Sequence, residues 1–113
     1  VTIDPEIYRK ARALIEDPEH WTTSVFARDA DDNVVGFESP EATKFCAHGA
    51  VIRVAFDAGL DHSQQNAYEW LLSDAAKAID DKFSSPSRIN DRGGHEGALK
   101  LLDKAIELAE AAS

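Results

Sequence analysis

Lys44-Phe45-Cys46-Ala47-His48-Gly49-Ala50-Val51-Ile52-Arg53-Val54-Ala55-Phe56 is the most apolar stretch of the chain, and its conformation sets the architecture around it. Ser39-Pro40-Glu41, just upstream, reads as a capped helix start. The Ser hydroxyl can accept a free N–H, Pro suits the first helical position, and Glu favours the positive helix end. The spacing predicts a helix from there to about Ala58, with Gly59 as a left-handed stop. Phe45, Cys46, Ala50, Val51, Ile52, Val54, Ala55 and Phe56 fall all around its circumference. A helix apolar on most sides is central and buried. Gly49 costs such a helix roughly 1 kcal/mol relative to Ala, which points to a close approach by another helix or by Trp21.

The flanking segments supply what this helix packs against. Asp4-Pro5-Glu6 is a second capped start. Ile7, Tyr8, Ala11, Leu14 and Ile15 then form one apolar stripe, and Pro18 stops the helix near Asp17. Trp21 follows as an aromatic anchor. Ser24 to Arg28 and Val34 to Phe37 flank the polar tip Asp29 to Asn33, which reads as a small hairpin or an extended excursion leaning on the helices. Asp61 or Ser63 can cap a third helix from about Gln64 to Lys82, with Tyr68, Leu71, Leu72, Ala75 and Ile79 as its stripe. Ser84-Ser85-Pro86-Ser87 reads as a loop. A fourth helix starts near Gly94 or His95, with Ala98, Leu102, Ala105, Ile106 and Ala109 facing inward. The predicted fold is mainly α: a four-helix single domain over residues 1–113, with a small β-hairpin or extended insertion between helices 1 and 2.

Composition narrows the function classes. Asp and Glu number 21 against 12 Lys and Arg, for a net charge of −9. That sign repels phosphate backbones and attracts basic partners, and it equally serves plain solubility. No run approaches the roughly 18 apolar residues of a membrane span. The Thr2 to Glu6 segment lacks the shape of a secretory signal, and a single cysteine fits a reducing cytoplasm.

Three residue groups bear on chemistry. Cys46 is either a core residue or a nucleophile, and in the second turn of a helix it gains little from the dipole. His95 at a helix start favours its neutral form, which suits a general base, and Asn90 or Asp91 can orient it. Asn90 and Asp91 are equally natural turn formers. Cys46, His20, His48, His62 and His95 show no zinc-like spacing, so no metal is expected. Asp29 to Asn33 begins like a calcium loop, but Val34 and Pro40 stand where Gly and Glu are required. Phosphate-binding loops and nucleophile elbows are absent, and no cofactor is expected.

Four blocks carry a family resemblance. They are Ala11-Arg12-Ala13-Leu14-Ile15-Glu16-Asp17-Pro18 with Trp21; Phe26-Ala27-Arg28-Asp29-Ala30-Asp31; Phe45-Cys46-Ala47-His48-Gly49-Ala50; and Ile89-Asn90-Asp91 with His95, Leu99, Leu101, Leu102, Asp103, Ala105 and Ile106. In this order, over nearly the whole chain, they resemble a family of small bacterial and phage proteins of unknown function. The resemblance implies a single-domain intracellular protein and no particular activity. The family pattern often has Ser or Thr directly before the His, whereas this chain has Gly94, a weaker cap.

The expected function is therefore a non-catalytic acidic module for protein interaction or regulation. It would bind a basic protein partner through an acidic helical face and the Asp29 to Asn33 tip. Two alternatives stand beside it. One is a cysteine-dependent hydrolase or transferase with Cys46 as nucleophile, His95 as base and Asn90 or Asp91 as orienter. The other is an acidic nucleic-acid mimic using Asp57, Asp61, Glu69, Asp74, Asp80 and Asp81. No direct nucleic-acid binding and no membrane attachment are expected.

Overall fold

A computed structural model describes residues 2–82 and 85–112. Helix α1 spans Pro5–Ile15, followed by a 3₁₀ turn at Pro18–His20. Strands β1 (Ala27–Arg28), β2 (Val34–Val35) and β3 (Lys44–Phe45) come next. Helices α2 (Ala47–Asp57), α3 (His62–Ile79) and α4 (Pro86–Ala112) complete the chain. The expected mainly α, four-helix architecture with a small β insertion between the first two helices is what forms.

The α1 start forms as its sequence dictates, with the Asp4 carboxylate accepting the Glu6 N–H at 3.0 Å. Ile7, Tyr8, Ala11 and Ile15 turn inward. Tyr8 is fully buried, and its hydroxyl donates to the Tyr68 carbonyl at 2.7 Å. The Tyr68 hydroxyl in turn accepts the Asp4 N–H at 2.8 Å, so the two phenols clasp α1 to α3. Burial pushes the Tyr8 phenol well above its ordinary pKa. On the surface, Arg12 bonds Asp103 at 2.6 Å and Arg9 pairs with Glu110, which ties α1 to α4.

Helix α2 lies at the centre, with Ala47, Gly49, Ala50, Val51, Ile52 and Ala55 all buried. It begins at Ala47, not at Pro40. The Ser39 hydroxyl does accept the Glu41 N–H at 3.1 Å, as a capping residue would, but only a turn follows. Arg53 takes the carbonyls of Phe37 and Ser39 at 3.0 and 2.8 Å and holds this segment back against α2. The chain then forms β3, which pairs antiparallel with β1 to give a sheet of order β2-β1-β3. At the far end, Gly59 takes φ 80°, as a left-handed stop requires. The Gly59 N–H bonds the Phe56 carbonyl and the Leu60 N–H bonds the Ala55 carbonyl, so the last turn is closed.

The close approach at Gly49 comes from the backbone of Phe26, just before β1, not from a helix or Trp21. A Cβ at Gly49 would lie 2.1 Å from the Phe26 carbonyl oxygen. The Cys46 N–H bonds that same oxygen at 3.3 Å. The hairpin is thereby seated on the first turn of α2.

Asp61 caps α3 in a reciprocal box with Gln64. Ile79, expected in its buried stripe, is 42% exposed, and Trp70 is 75% exposed. Helix α4 starts at Pro86, eight residues before the expected position. Of the predicted Ser84 to Ser87 loop, Ser84 lies outside the described residues, while Pro86 and Ser87 are helical. Gly94 breaks α4 into segments 86–93 and 95–112 with φ 71° and ψ −169°. That backbone geometry is essentially restricted to glycine. Leu101 is buried in the second segment beside the expected Ala98, Leu102, Ala105 and Ala109.

Candidate functional site

The N-terminus of α2 meets the first segment of α4 at Asn90, the one polar residue in the buried class among the described residues. Its Oδ1 accepts the Trp21 indole N–H at 2.8 Å and the Ala47 backbone N–H at 2.9 Å. Its Nδ2 donates to the Thr22 carbonyl at 3.1 Å and to Asp91 Oδ1 at 2.9 Å. Both amide donors and two acceptor positions are thus filled. Burial is tolerable for this amide because every strong group finds a partner.

Asp91 continues the network outward. Its Oδ1 also accepts the Ser24 N–H at 3.1 Å. Ser24 holds φ 73°, a left-handed conformation that is uncommon for a residue with a side chain. The carboxylate thus holds the chain in the turn that leads from Trp21 into the hairpin.

Cys46 caps α2. Its Sγ accepts the Gly49 N–H at 3.2 Å, and the residue is 6% exposed. Burial pushes the thiol pKa up, and nearby Asp91 adds to that, while N–H groups at the helix start pull it down without cancelling the burial. The position differs from the second-turn location expected from sequence. A cap site offers the thiol the helix dipole, yet desolvation outweighs it.

His95 begins the second segment of α4 and reaches a different neighbour. Its Nε2 lies 2.6 Å from the carbonyl of Ile15, the last residue of α1. A carbonyl only accepts, so Nε2 carries the proton and satisfies one of the open carbonyls at that helix end. The His95 ring meets the Trp21 ring edge-on at 5.6 Å. Asn90 and His95 therefore both meet Trp21, while Asp91 joins through Asn90 and Cys46 caps the neighbouring helix start. Asn90 orients the Trp21 indole, and the hydrogen bonds of His95 and Cys46 go to backbone groups. His48 pairs with Glu69 at 3.0 Å and packs its ring on Phe26 at 4.9 Å. Among the described residues, no three His, Cys, Asp or Glu side chains form a metal-ligand group.

A cavity of about 350 Å³ opens beside this network, between the hairpin and the first segment of α4. Val25, Phe26, Val34, Val35 and Phe37 form its walls. Cys46, Ser24, Ser87 and Asp91 supply its polar margin. Phe26 and Val34 are 44% and 61% exposed, so the apolar wall extends onto the surface. The size is at the lower end of ligand pockets, roughly 300–1,000 Å³. Ser24 and Ser87 were not singled out in the sequence. They read only as parts of a hairpin arm and a loop, and only the return of α4 across the hairpin brings them together.

The tip and the acidic face are less open than their composition implies. Asp29 Oδ1 accepts the backbone N–H groups of Asp31 and Asn33, both at 2.9 Å, and these bonds hold its pKa below the usual carboxylate range, the Asn33 bond contributing most. Asp32 pairs with Lys44. On the helices, Asp57 bonds Arg53, Asp61 caps α3, Glu69 bonds His48, and Asp80 accepts the Lys82 N–H.

The arrangement defines a mainly α domain with a sheet-side cavity and a polar network at its helix junction. The chain belongs to a family described as a family of unknown function (DUF6197), matched over residues 2–108. No curated protein and no solved structure matches it. No helix among the described residues is long and apolar enough to cross a membrane.

Proposed function

We propose that the chain is a non-catalytic binding module. In this reading it docks a protein partner by taking a basic side chain of that partner into the cavity beside the hairpin. The observation that carries the reading is the Asp91 carboxylate, the one charged group among the described residues lining a mainly apolar cavity. A lysine or arginine has the matching form, an apolar stem ending in a cation. The net charge of −9 draws such a partner in and speeds encounter.

Two further features favour binding over thiol chemistry and over mimicry of nucleic acid. The Cys46 thiol is buried, with its pKa raised, and its sulfur is engaged as a helix cap. A nucleophile needs the opposite shift. A mimic needs carboxylates left free along a face, and four of its six candidates, Asp57, Asp61, Glu69 and Asp80, are bonded within the chain.

The test is capture of partners from a lysate of the source cell by the tagged chain and by two variants. Val34→Lys places a cation on the exposed cavity wall, and Asp91→Asn removes the charge while keeping an acceptor oxygen. Each variant is expected to weaken binding of a basic partner by at least about tenfold. Equal capture by all three chains, or capture of no basic protein, defeats the reading.

A further inference from the structure

The short first segment of α4 presents opposite charges on adjacent faces. Ser87 and Asp91 face the hairpin cavity. Arg88 and Arg92, each one residue further on, face a separate groove of about 440 Å³. Residues four apart lie on one helix face, so the two guanidiniums share that groove. The break at Gly94 redirects the chain, and Lys100 of the second segment closes on the same groove.

Its floor is apolar. Ile79 and Ile89 line it, and Gly93 and Gly97 leave the space between them free of side chains. Gly97 has a packing reason as well, since a Cβ there would lie 3.0 Å from the Ile89 carbonyl oxygen. The groove explains why Ile79 departs from the buried stripe of α3. At 42% exposed, it is the groove wall.

We propose that this groove is a binding site for a small amphiphilic anion, with a carboxylate or phosphate head and a short apolar body. Three cations around one groove run against the composition of a chain with a net charge of −9. Asp80 and Glu96 also border the groove, so its local balance is slightly positive. Lys100 pairs with Glu96 at 3.4 Å, with both side chains mostly exposed. Such a pair contributes little and opens readily to a competing anion. Both arginines have partners within the chain. A guanidinium carries five N–H donors in a planar fork that matches a carboxylate or phosphate. The head then sits among Arg88, Arg92 and Lys100, and the body lies along Ile79 and Ile89. This site is independent of the Asp91 cavity and prefers the opposite charge.

Titration of the whole chain with hexyl phosphate and hexanoate, followed by amide chemical shifts, tests the proposal. Inorganic phosphate and hexanol serve as head-only and body-only probes. Shifts are expected at Ile79, Gly93 and Gly97 with either amphiphile, and the tighter of the two identifies the head group. Each single-part probe is expected to bind at least about tenfold more weakly. Arg92→Gln and Lys100→Gln are each expected to weaken amphiphile binding several-fold, and Lys100 is exposed enough for its variant to keep the fold. Ile79→Ser is expected to weaken hexyl phosphate binding and leave inorganic phosphate binding unchanged. The proposal is overturned if neither amphiphile shifts these amides, or if the charge variants bind as the parent does.

Discussion

Asn90 of α4 caps α2. Its side-chain oxygen accepts the Ala47 N–H at 2.9 Å, the first free donor of that helix, and the same oxygen holds the Trp21 indole at 2.8 Å. One amide therefore joins three segments far apart in sequence. Replacing it with Ala strands buried donors from Ala47 and Trp21 and an acceptor at Thr22. Each unsatisfied buried group costs about 1–3 kcal/mol, and local water entry offsets part of the sum. Asn90→Ala is expected to lower unfolding stability by about 2–4 kcal/mol, measured by urea denaturation. A loss no larger than that of an exposed substitution would mean that the network does not hold the junction together.

The seating of the hairpin makes a second expectation. In an open helix, Gly→Ala stabilises by about 1 kcal/mol. At Gly49 the added Cβ would sit 2.1 Å from a backbone oxygen of Phe26, which has no rotamer to yield. The hairpin would have to lift from α2. Gly49→Ala is therefore expected to destabilise by about 2 kcal/mol or more despite its helix propensity. Gly59→Ala provides the contrast. Nothing lies within 4 Å, and only the positive φ opposes it. Its expected cost is about 1 kcal/mol.

These two glycines also mark what could be read locally. The helix starts at Asp4 and Asp61 and the stop at Gly59 depend on neighbours in sequence, so composition and spacing identify them. Ser39-Pro40-Glu41 carries the same local signal and fails as a helix start. The following residues gain more by pairing Lys44 and Phe45 with Arg28 and Ala27, and local reading does not contain that pairing. The site shows the same division. Cys46, Asn90, Asp91 and His95 are distinctive residue types and can be picked out in sequence. Apart from the Trp21 indole and the Asn90–Asp91 bond, their partners are backbone atoms of Gly49, Ala47, Thr22, Ser24 and Ile15, whose hydrogen bonding carries no residue-type signal.

Alkaline pH should destabilise the fold through two buried acids. Burial raises the pKa of both the Cys46 thiol and the Tyr8 phenol above their ordinary values of 9.0 and 10.0. The unfolded chain loses these protons first, so above pH 9.0 it binds fewer protons than the folded chain. Stability therefore falls as pH rises, and it is undiminished below that point. Urea midpoints measured across the alkaline range are expected to decline, first from the thiol and then from the phenol. Cys46→Ala should remove the earlier part of the slope and Tyr8→Phe the later part. The same shift makes the native thiol slow to alkylate near neutral pH, with rapid labelling only after denaturation. Rapid labelling of the folded chain would revive Cys46 as a nucleophile.

Gly94 offers the sharpest contrast between pattern and structure. Ser or Thr would ordinarily cap the helix segment that begins at His95 better than Gly does. Here position 94 takes φ 71° and ψ −169°, where a Cβ is strongly disfavoured. That geometry sets the direction of segment 95–112, which delivers His95 Nε2 to the Ile15 carbonyl and opens the groove beside Lys100. A serine must either keep the strained backbone or swing the segment and give up the His95 bond. Gly94→Ser is therefore expected to cost about 1–3 kcal/mol, with no gain from the cap. The two routes separate by NMR. A strained but unmoved backbone leaves the His95 ring signals in place, whereas a swung segment shifts them together with those of Trp21. A serine variant more stable than the parent would show that the break at Gly94 is not what positions His95.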